Sequence, residues 1–477
     1  MTLNKINVTD TINQARKMLK DNPKIPPEFA AVVSVLLTLV ELLLMRFGKN
    51  SKNSSIPPSQ DPNRAKDKKP GGTGKKPGGQ KGREAKTLKP FDNPDEIIQV
   101  PVNREDLPKG HTYKTVGHTK RQVVEIIVKR HVKEYQLEIV ADENGKRYTA
   151  ETVDGASRPV QYGRSIKSML VYMSLYQMIP YGRVQEYFEN QIGIPISEGT
   201  VFNCNKLAYD QLEEFEKICK TRLQSATCLN ADETSINVNG KKIWLHSASN
   251  DRWAHFAPHK TRGSEAMDDI GILPHFEGIA VHDHWKAYFT YTKCRHALCN
   301  AHHLRELQAM IEAHPDHAWA QKMKDLLCTI NTQTIEAGGA LNPQEADHYR
   351  SLYQSILKQA DTECPPPTPV PGEKKKRGKV PKTKERNLLE RLRNFETETL
   401  LFMTDPYVPF TNNQAENDIR MTKVHQKISG CFRSMEGAQI FCRVRSYIKT
   451  CQKHGLDASS ALSALFQGKL PPFCFSP

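Results

Sequence analysis

No cysteine precedes Cys204 in this 477-residue chain, and the eleven from there onward are odd in number and lack paired spacing. That excludes a disulfide framework and fits a reducing cytosol. Uninterrupted hydrophobic runs are missing too. The most apolar stretch, Ala30 to Phe47, contains Glu41 and follows a charged leader too long for a signal peptide. Ser34, Thr38, Glu41 and Met45 share one stripe at helical spacing, and three of them are polar. We read an amphipathic helix that pairs with another helix or a partner chain, not a membrane span.

Acidic residues are scarce where basic ones crowd. Between Arg46 and Pro90 stand 13 Lys or Arg against 3 Asp or Glu, a net +10 of the chain's total of +15. A block of like charge rich in Ser, Pro and Gly cannot bury a core, so it reads as a disordered linker that grips a polyanion. Lys68, Lys69, Lys75, Lys76, Lys81 and Arg83 are its candidate DNA contacts.

The rest divides by pattern. Residues 1–48 carry the N-terminal helices, the first from about Val8 to Leu19, with the apolar helix after Pro26-Pro27; residues 49–90 are the basic linker. Residues 91–160 contain β-rich patches such as "RQVVEIIVKRHV" and read as a small β module. Residues 161–224 are helical. Within them a helix ends near Asn190, "GIPI" turns, and Ser197 is a good N-cap for a second helix. That outline suits a helix-turn-helix DNA reader, with Thr200, Asn203 and Asn205 facing base edges, and equally an ordinary helix pair.

From residue 225 the pattern is α/β. "ATCLNAD", "KIWLHSAS" and "RWAHFAPH" read as three strands, "GSEAMDDIG" as a helix, "EGIAVHD" and "CRHALC" as two more strands, and "HHLRELQAMIE" as a helix. This order is that of a ribonuclease-H-like core, its first part spanning 225–304. A helical insertion, 305–400, contains a second basic Pro-rich linker at 361–386, and residues 401–477 complete the core with a basic tail.

Three acids stand out. Asp232 in "LNADET" and Asp283 in "AVHDHW" each end an apolar strand, and Glu416 in "NNQAENDIR" lies on a helix. Brought together, they can hold two divalent ions, Mg²⁺ or Mn²⁺, in an arrangement that suits phosphodiester chemistry. Glu233 points to the other face by alternation, and His282 and His284 are poor donors for Mg²⁺. Thr411, Asn412 and Asn413 offer N-cap chemistry before Glu416, while Asn412 or Asn413 could instead bond strand ends or a phosphate. Glu416, Arg420 and Lys423 share a helical face. Lys427, Arg433, Arg443, Arg445 and Lys449 form a basic run suited to DNA. Cys299 and His302 read as active-site support; a zinc site that adds Cys294 and His296 is the weaker reading.

With "NSSIPPSQD", "KPGGQKG", "ADET", "WLHSAS", "HDHW", "CNAHHLREL", "VPFTNNQAEND" and "KISGCFRSMEGA" in order, the chain resembles the transposases of the insertion-sequence-66 family of bacterial mobile elements. The resemblance implies that Asp232, Asp283 and Glu416 are the acidic triad. It also implies metal-dependent cleavage at element ends and strand transfer into target DNA, in the bacterial cytoplasm at the nucleoid. A homo-oligomer on DNA and accessory proteins of the same element are expected, and no membrane. The alternatives are a non-catalytic DNA-binding repressor and a structure-specific nuclease. Two departures stand out. Relatives commonly carry zinc-binding cysteines between the linker and the helical region, whereas Lys89 to Pro159 has none, so zinc is not expected there. Asn417 stands where many relatives have arginine.

Overall fold

The computed structural model describes residues 2–3, 6–22, 25–47, 50, 53–54, 88–153, 155–366 and 382–475. The basic linker residues Lys68, Lys69, Lys75, Lys76, Lys81 and Arg83 lie outside them. The chain forms two units, residues 65–132 and the remainder.

At the N-terminus a short pair, β1 (Thr2–Leu3) and β2 (Ile6–Asn7), leads into α1 (Val8–Asp21) and α2 (Pro27–Phe47). Pro27 opens α2, where a missing N–H costs nothing. Ser34 and Thr38 donate to the carbonyls of Ala30 and Ser34 at 2.7 and 2.8 Å, so that part of the polar stripe is satisfied within the helix. Among the described residues, no helix is long and apolar enough to cross a membrane.

In the unit of residues 65–132, the described part holds a single turn of 3-10 helix at Arg104–Asp106 and a reciprocal bond between the Gln122 amide and the Phe91 backbone. The expected strand through "RQVVEIIVKRHV" is not paired, and Val123, Ile126 and Ile127 are exposed. The reason is in the pattern: Val123-Val124 and Ile126-Ile127-Val128 are adjacent, so apolar groups fall on both faces and no single face can be buried. Of the expected β module, the described residues contain one hairpin, β3 (Ile139–Ala141) with β4 (Arg147–Thr149), which belongs to the larger unit.

Helices α3 (Arg164–Val171) and α4 (Tyr181–Tyr187) each continue into a wide π turn. Gly193, at φ +69°, ends the second, and Ser197 caps α5 (Glu198–Gln211) by accepting the Thr200 N–H at 3.1 Å. The boundaries expected of the helix pair are therefore the ones observed. Helix α6 (Glu213–Gln224) follows. Leu170, Val184, Phe188, Val201, Phe215 and Leu223 bury these helices against the strands that come next.

Those strands are β5 (Cys228–Val238), β6 (Lys241–Ser249), β7 (Ala254–His259), β8 (Ile279–His282) and β9 (Arg295–Leu298), in the order β7-β6-β5-β8-β9. The sheet is mixed: β7, β6 and β5 are antiparallel, and β8 and β9 run parallel to β5. Helix α7 (Ser264–Ile270) lies between β7 and β8, and α8 (Asn300–Ala313) follows β9. Strand β5 runs on through "ETSINV" beyond Asp232, because β6 pairs with it residue by residue to Val238. Asp232 is thus mid-strand, a correction to the strand end read from sequence.

The insertion consists of α9 (Trp319–Glu336), α10 (Pro343–Glu363), α11 (Lys384–Asn394) and α12 (Glu396–Leu400). Trp319, Leu327, Tyr353 and Leu389 form its core, which is continuous with Ile279, Val281 and Ala297 on one face of the sheet. The chain returns through α13 (Asn413–Ser429), α14 (Met435–Lys453) and α15 (Ala458–Phe466). Helix α14 covers the free edge of β7: the Ala254 N–H donates to Thr450 Oγ1 at 3.1 Å and the Phe256 N–H to Ser446 Oγ at 2.8 Å.

Candidate active site

Parallel pairing matches Cys228, Leu229 and Asn230 of β5 with Ile279, Ala280 and Val281 of β8. Extending that register by two residues sets Asp232 beside Asp283, just past the end of the ladder. Neighbouring strands are about 4.8 Å apart, and the period of two puts Asp232 on the face of Asn230. The pairing register thus leads toward Asp232 on one strand and toward Asp283, the residue just past β8, on the other.

The third is delivered by a clamp. Asn412, read from sequence as a cap or as a tie to strand ends, is buried just before α13, and its side chain does not cap that helix. Instead its amide donates to the Ala231 carbonyl at 2.8 Å and its carbonyl accepts from Asn230 at 2.8 Å. Its backbone N–H points at Cys299 Sγ, 3.1 Å away. Both strand partners lie next to Asp232, and Glu416 follows one turn into the helix. Asn413, beside it, is exposed.

The electrostatics carry the mark of this convergence. Burial, then the charges of Glu233, Glu416 and Asp283, push the Asp232 carboxyl well above the usual carboxylate range, although it accepts the Glu233 N–H. Oε1 of Glu416 is buried without a hydrogen-bond donor, with the Arg305 guanidinium 3.5 Å away. A buried Asp232 raised by neighbouring carboxylates, with an orphaned oxygen on Glu416, has the chemistry to take a divalent cation, which would remove the repulsion.

Glu233 faces the other way and is buried, with burial and Asp283 raising its carboxyl. It accepts from Arg262 at 2.6 Å and from the buried Tyr288 hydroxyl. Arg262 also lies 3.8 Å from Asp283, between the rings of Trp285 (4.0 Å) and Trp244 (4.8 Å). Sequence reasoning gave Arg262 no role. The signal was present: a lone arginine before the α7 glycine, with one tryptophan on β6 and one beside Asp283.

Cys299, His302 and Glu416 present donor atoms within 4.8 Å of one another. Burial raises the Cys299 thiol, and burial with Arg305 lowers His302, so both are neutral at pH 7. Cys294 and His296 are not part of that group. His296 bonds His282 at 2.9 Å and the Tyr291 carbonyl at 3.1 Å, and burial holds His282 down at about 3.

The basic residues divide. Arg420, Lys427 and Arg433 are exposed, as a DNA contact requires. Lys423 donates to the Ser235 carbonyl at 2.6 Å and is half-buried. Arg443 pairs with Glu216 and stacks 3.7 Å over Tyr209, Arg445 is buried beneath Tyr176, and Lys449 pairs with Asp418 at 3.0 Å. The expected DNA-facing run thus shrinks to its first two members, because α14 is an interior helix and its cations turn to internal partners. On α5, Asn203 is exposed and Thr200 half-buried, but Asn205 is fully buried, bonded to Ser174 and Tyr181. Asn205 is not a base-reading residue in this fold.

Residues 159–440 match the family described as Transposase IS66 family, a span that includes all five core strands, the insertion and α13. The chain belongs to the IS66 transposase family. Membership implies transposase function, DNA as partner, and the divalent metals that such enzymes generally use. No curated protein matches the chain.

Proposed function

We propose that this protein cleaves DNA at the ends of a bacterial insertion sequence and joins those ends to target DNA, with Asp232, Asp283 and Glu416 as its catalytic carboxylates. The observation that carries the reading is the parallel β5–β8 register, which leads toward Asp232 on β5 and toward Asp283 just past β8, with the Asn412 side chain bonded to β5 one turn before Glu416. The strand order supports a ribonuclease-H-like core.

Asp232, Asp283 and Glu416 would hold divalent cations, Mg²⁺ or Mn²⁺. When bound, such ions activate the attacking oxygen and stabilise the leaving one. The chain's own residues set the geometry. Arg262, held between Trp244 and Trp285, braces Glu233 and Asp283. Arg305 leans on Glu416, and Cys299 receives the Asn412 N–H. Exposed Arg420, Lys427 and Arg433 guide the phosphate backbone past the acids, with Thr200 and Asn203 of α5 and the basic linker as further contacts. Water attacks a phosphodiester at each element end, the P–O3′ bond breaks, and a 3′ hydroxyl is freed. That hydroxyl attacks a target phosphodiester: a new P–O bond forms, and the displaced 3′ oxygen takes up a proton. Pairing two ends calls for a homo-oligomer on DNA.

The test uses labelled ends of the protein's own element in Mg²⁺ and in Ca²⁺. Asp232→Ala, Asp283→Ala and Glu416→Ala should each lose cleavage by more than about a hundredfold while still binding DNA. Cleavage above that level in any of them removes that residue from the proposal.

A further inference from the structure

A second constellation of metal-type donors lies within the insertion, built from residues to which the chemistry above gives no part. His314 ends α8, His317 sits in the α8–α9 turn, and Glu385 lies in the first turn of α11. We propose that His314, His317 and Glu385 form a zinc-class metal site that fastens the α8–α9 turn to the start of α11.

The geometry is close to what such an ion needs. One donor atom from each residue lies within 4.8 Å of the other two. Zinc bonds of about 2.05 Å in a tetrahedron set neighbouring donors about 3.3 Å apart. Here His317 Nδ1 is 2.8 Å from Glu385 Oε1, and His314 Nε2 is 3.8 Å from Oε2. A bound ion would take the place of the present hydrogen bond between His317 and Glu385. The two imidazoles lie 5.1 Å apart with an interplanar angle of 14°.

The carboxylate is pre-oriented. Glu385 is 3% exposed, and Trp319 Nε1 donates to its Oε1 at 2.6 Å, which leaves Oε2 for a ligand. A fixed outer-shell donor of this kind is what orients a metal ligand. The His314 side chain is 39% exposed, so water can take the fourth position from that side. Two imidazole nitrogens and one carboxylate oxygen suit zinc or a similar borderline ion, and are a poor set for Mg²⁺. The site is distinct from the one near Glu416 and lies outside residues 89–159, where no zinc is expected.

Its position gives it a purpose. The second basic linker is shorter than the 361–386 read from sequence, since α10 runs to Glu363 and α11 starts at Lys384; Cys364 Sγ and Thr383 Oγ1, at its two ends, are 3.9 Å apart. Arg386 bonds Asp361 at 2.7 Å and the Cys364 carbonyl at 3.0 Å, which closes the two ends on each other. Glu363 accepts the N–H groups of Ala318 and Trp319 at 2.7 and 3.0 Å. A metal on Glu385 completes a ring of ties in which the α8–α9 turn anchors both ends of that linker.

The experiment titrates the chelator-stripped full chain with Zn²⁺ against a chromophoric competitor, and follows thermal unfolding with and without zinc. The parent should bind about one more zinc than His314→Ala, and lose that site's affinity at least about tenfold in His317→Ala and Glu385→Gln. Cys299→Ala should keep this zinc. Co²⁺ in place of Zn²⁺ should give visible absorption that His314→Ala removes. If His317→Ala fails to fold, the half-exposed His314 decides the matter alone. Equal zinc uptake and an equal zinc-induced rise in melting temperature in parent and His314→Ala overturn the proposal, as does a zinc lost in Cys299→Ala and kept in His314→Ala.

Discussion

Truncating Asn412 tests the clamp that brings Glu416 to the sheet. Its side chain is 2% exposed and makes two bonds of 2.8 Å, one donated to Ala231 and one accepted from Asn230. In Asn412→Ala both partners lose their mate while still buried, and Asn230 is itself only 4% exposed. Each orphaned polar group costs about 1–3 kcal/mol. A water entering the gap recovers part of this, so we expect a net loss of about 2–4 kcal/mol. The backbone bond to Cys299 survives, so α13 should stay in place as a helix while its first turn loosens. Urea unfolding should show a lower midpoint with unchanged slope. Cleavage should fall further than stability does, because Glu416 follows one turn later. Asn413→Ala, at the exposed neighbour, should change stability by less than about 0.5 kcal/mol. Were Asn412→Ala to behave like Asn413→Ala in both assays, the clamp would have no part in holding the glutamate.

Acid should act through Glu216. Burial alone would raise its carboxyl, but the His255 hydrogen bond and the charges of Arg443 and Lys220 hold it at about 2. Burial in turn keeps His255 below its usual range, and Arg443 pairs with the same carboxylate. A depressed carboxyl stabilises the fold above its unfolded value and loses that contribution as pH falls. The stability gap between parent and Glu216→Gln, up to about 3 kcal/mol near neutrality, should therefore close from about pH 4.5 downward toward 2; a gap constant with pH refutes it. Asn203→Ala should narrow the affinity ratio of element-end to random DNA by about 1–3 kcal/mol at fixed salt, with non-specific affinity and melting temperature nearly unchanged. Deleting residues 49–89 should weaken binding to all DNA alike and lower the log–log salt slope by about 0.9 for each phosphate that is no longer neutralised; an unchanged slope means that the segment never touches DNA.

Local pattern carried the sheet. Each strand of β5 to β9 has an apolar run, and each bounding turn its own residues, so element order from Cys228 to Leu298 was readable without a partner in view. What failed to show depended on partners far along the chain. Asp232 was read as a strand end because "ETSINV" is polar, yet β6 pairs with it throughout. Asn412 reads as a cap or as a tie to strand ends, and it takes the second role on a strand 182 residues earlier, a choice that local pattern left open. Arg443 and Lys449 look like DNA contacts until Glu216 and Asp418 are seen beside them. Arg262 stayed hidden for the same reason, since its two tryptophans meet only in the fold. The apolar pairs at 123–128 mislead in the other direction: β-favouring residues without one consistent face.

The cover that α14 gives to β7 also sets a timetable. The strand's outward N–H groups at Ala254 and Phe256 wait for hydroxyls that lie 196 and 190 residues later in the chain. At about 5–20 residues per second, a ribosome needs roughly 10–40 s to make that stretch. Through that interval the nascent protein displays an unsatisfied strand border, open to any extended peptide nearby. Several chains growing on one messenger would hold such borders close together. Safe synthesis of this protein then depends on chaperone shielding or on wide ribosome spacing until Thr450 emerges.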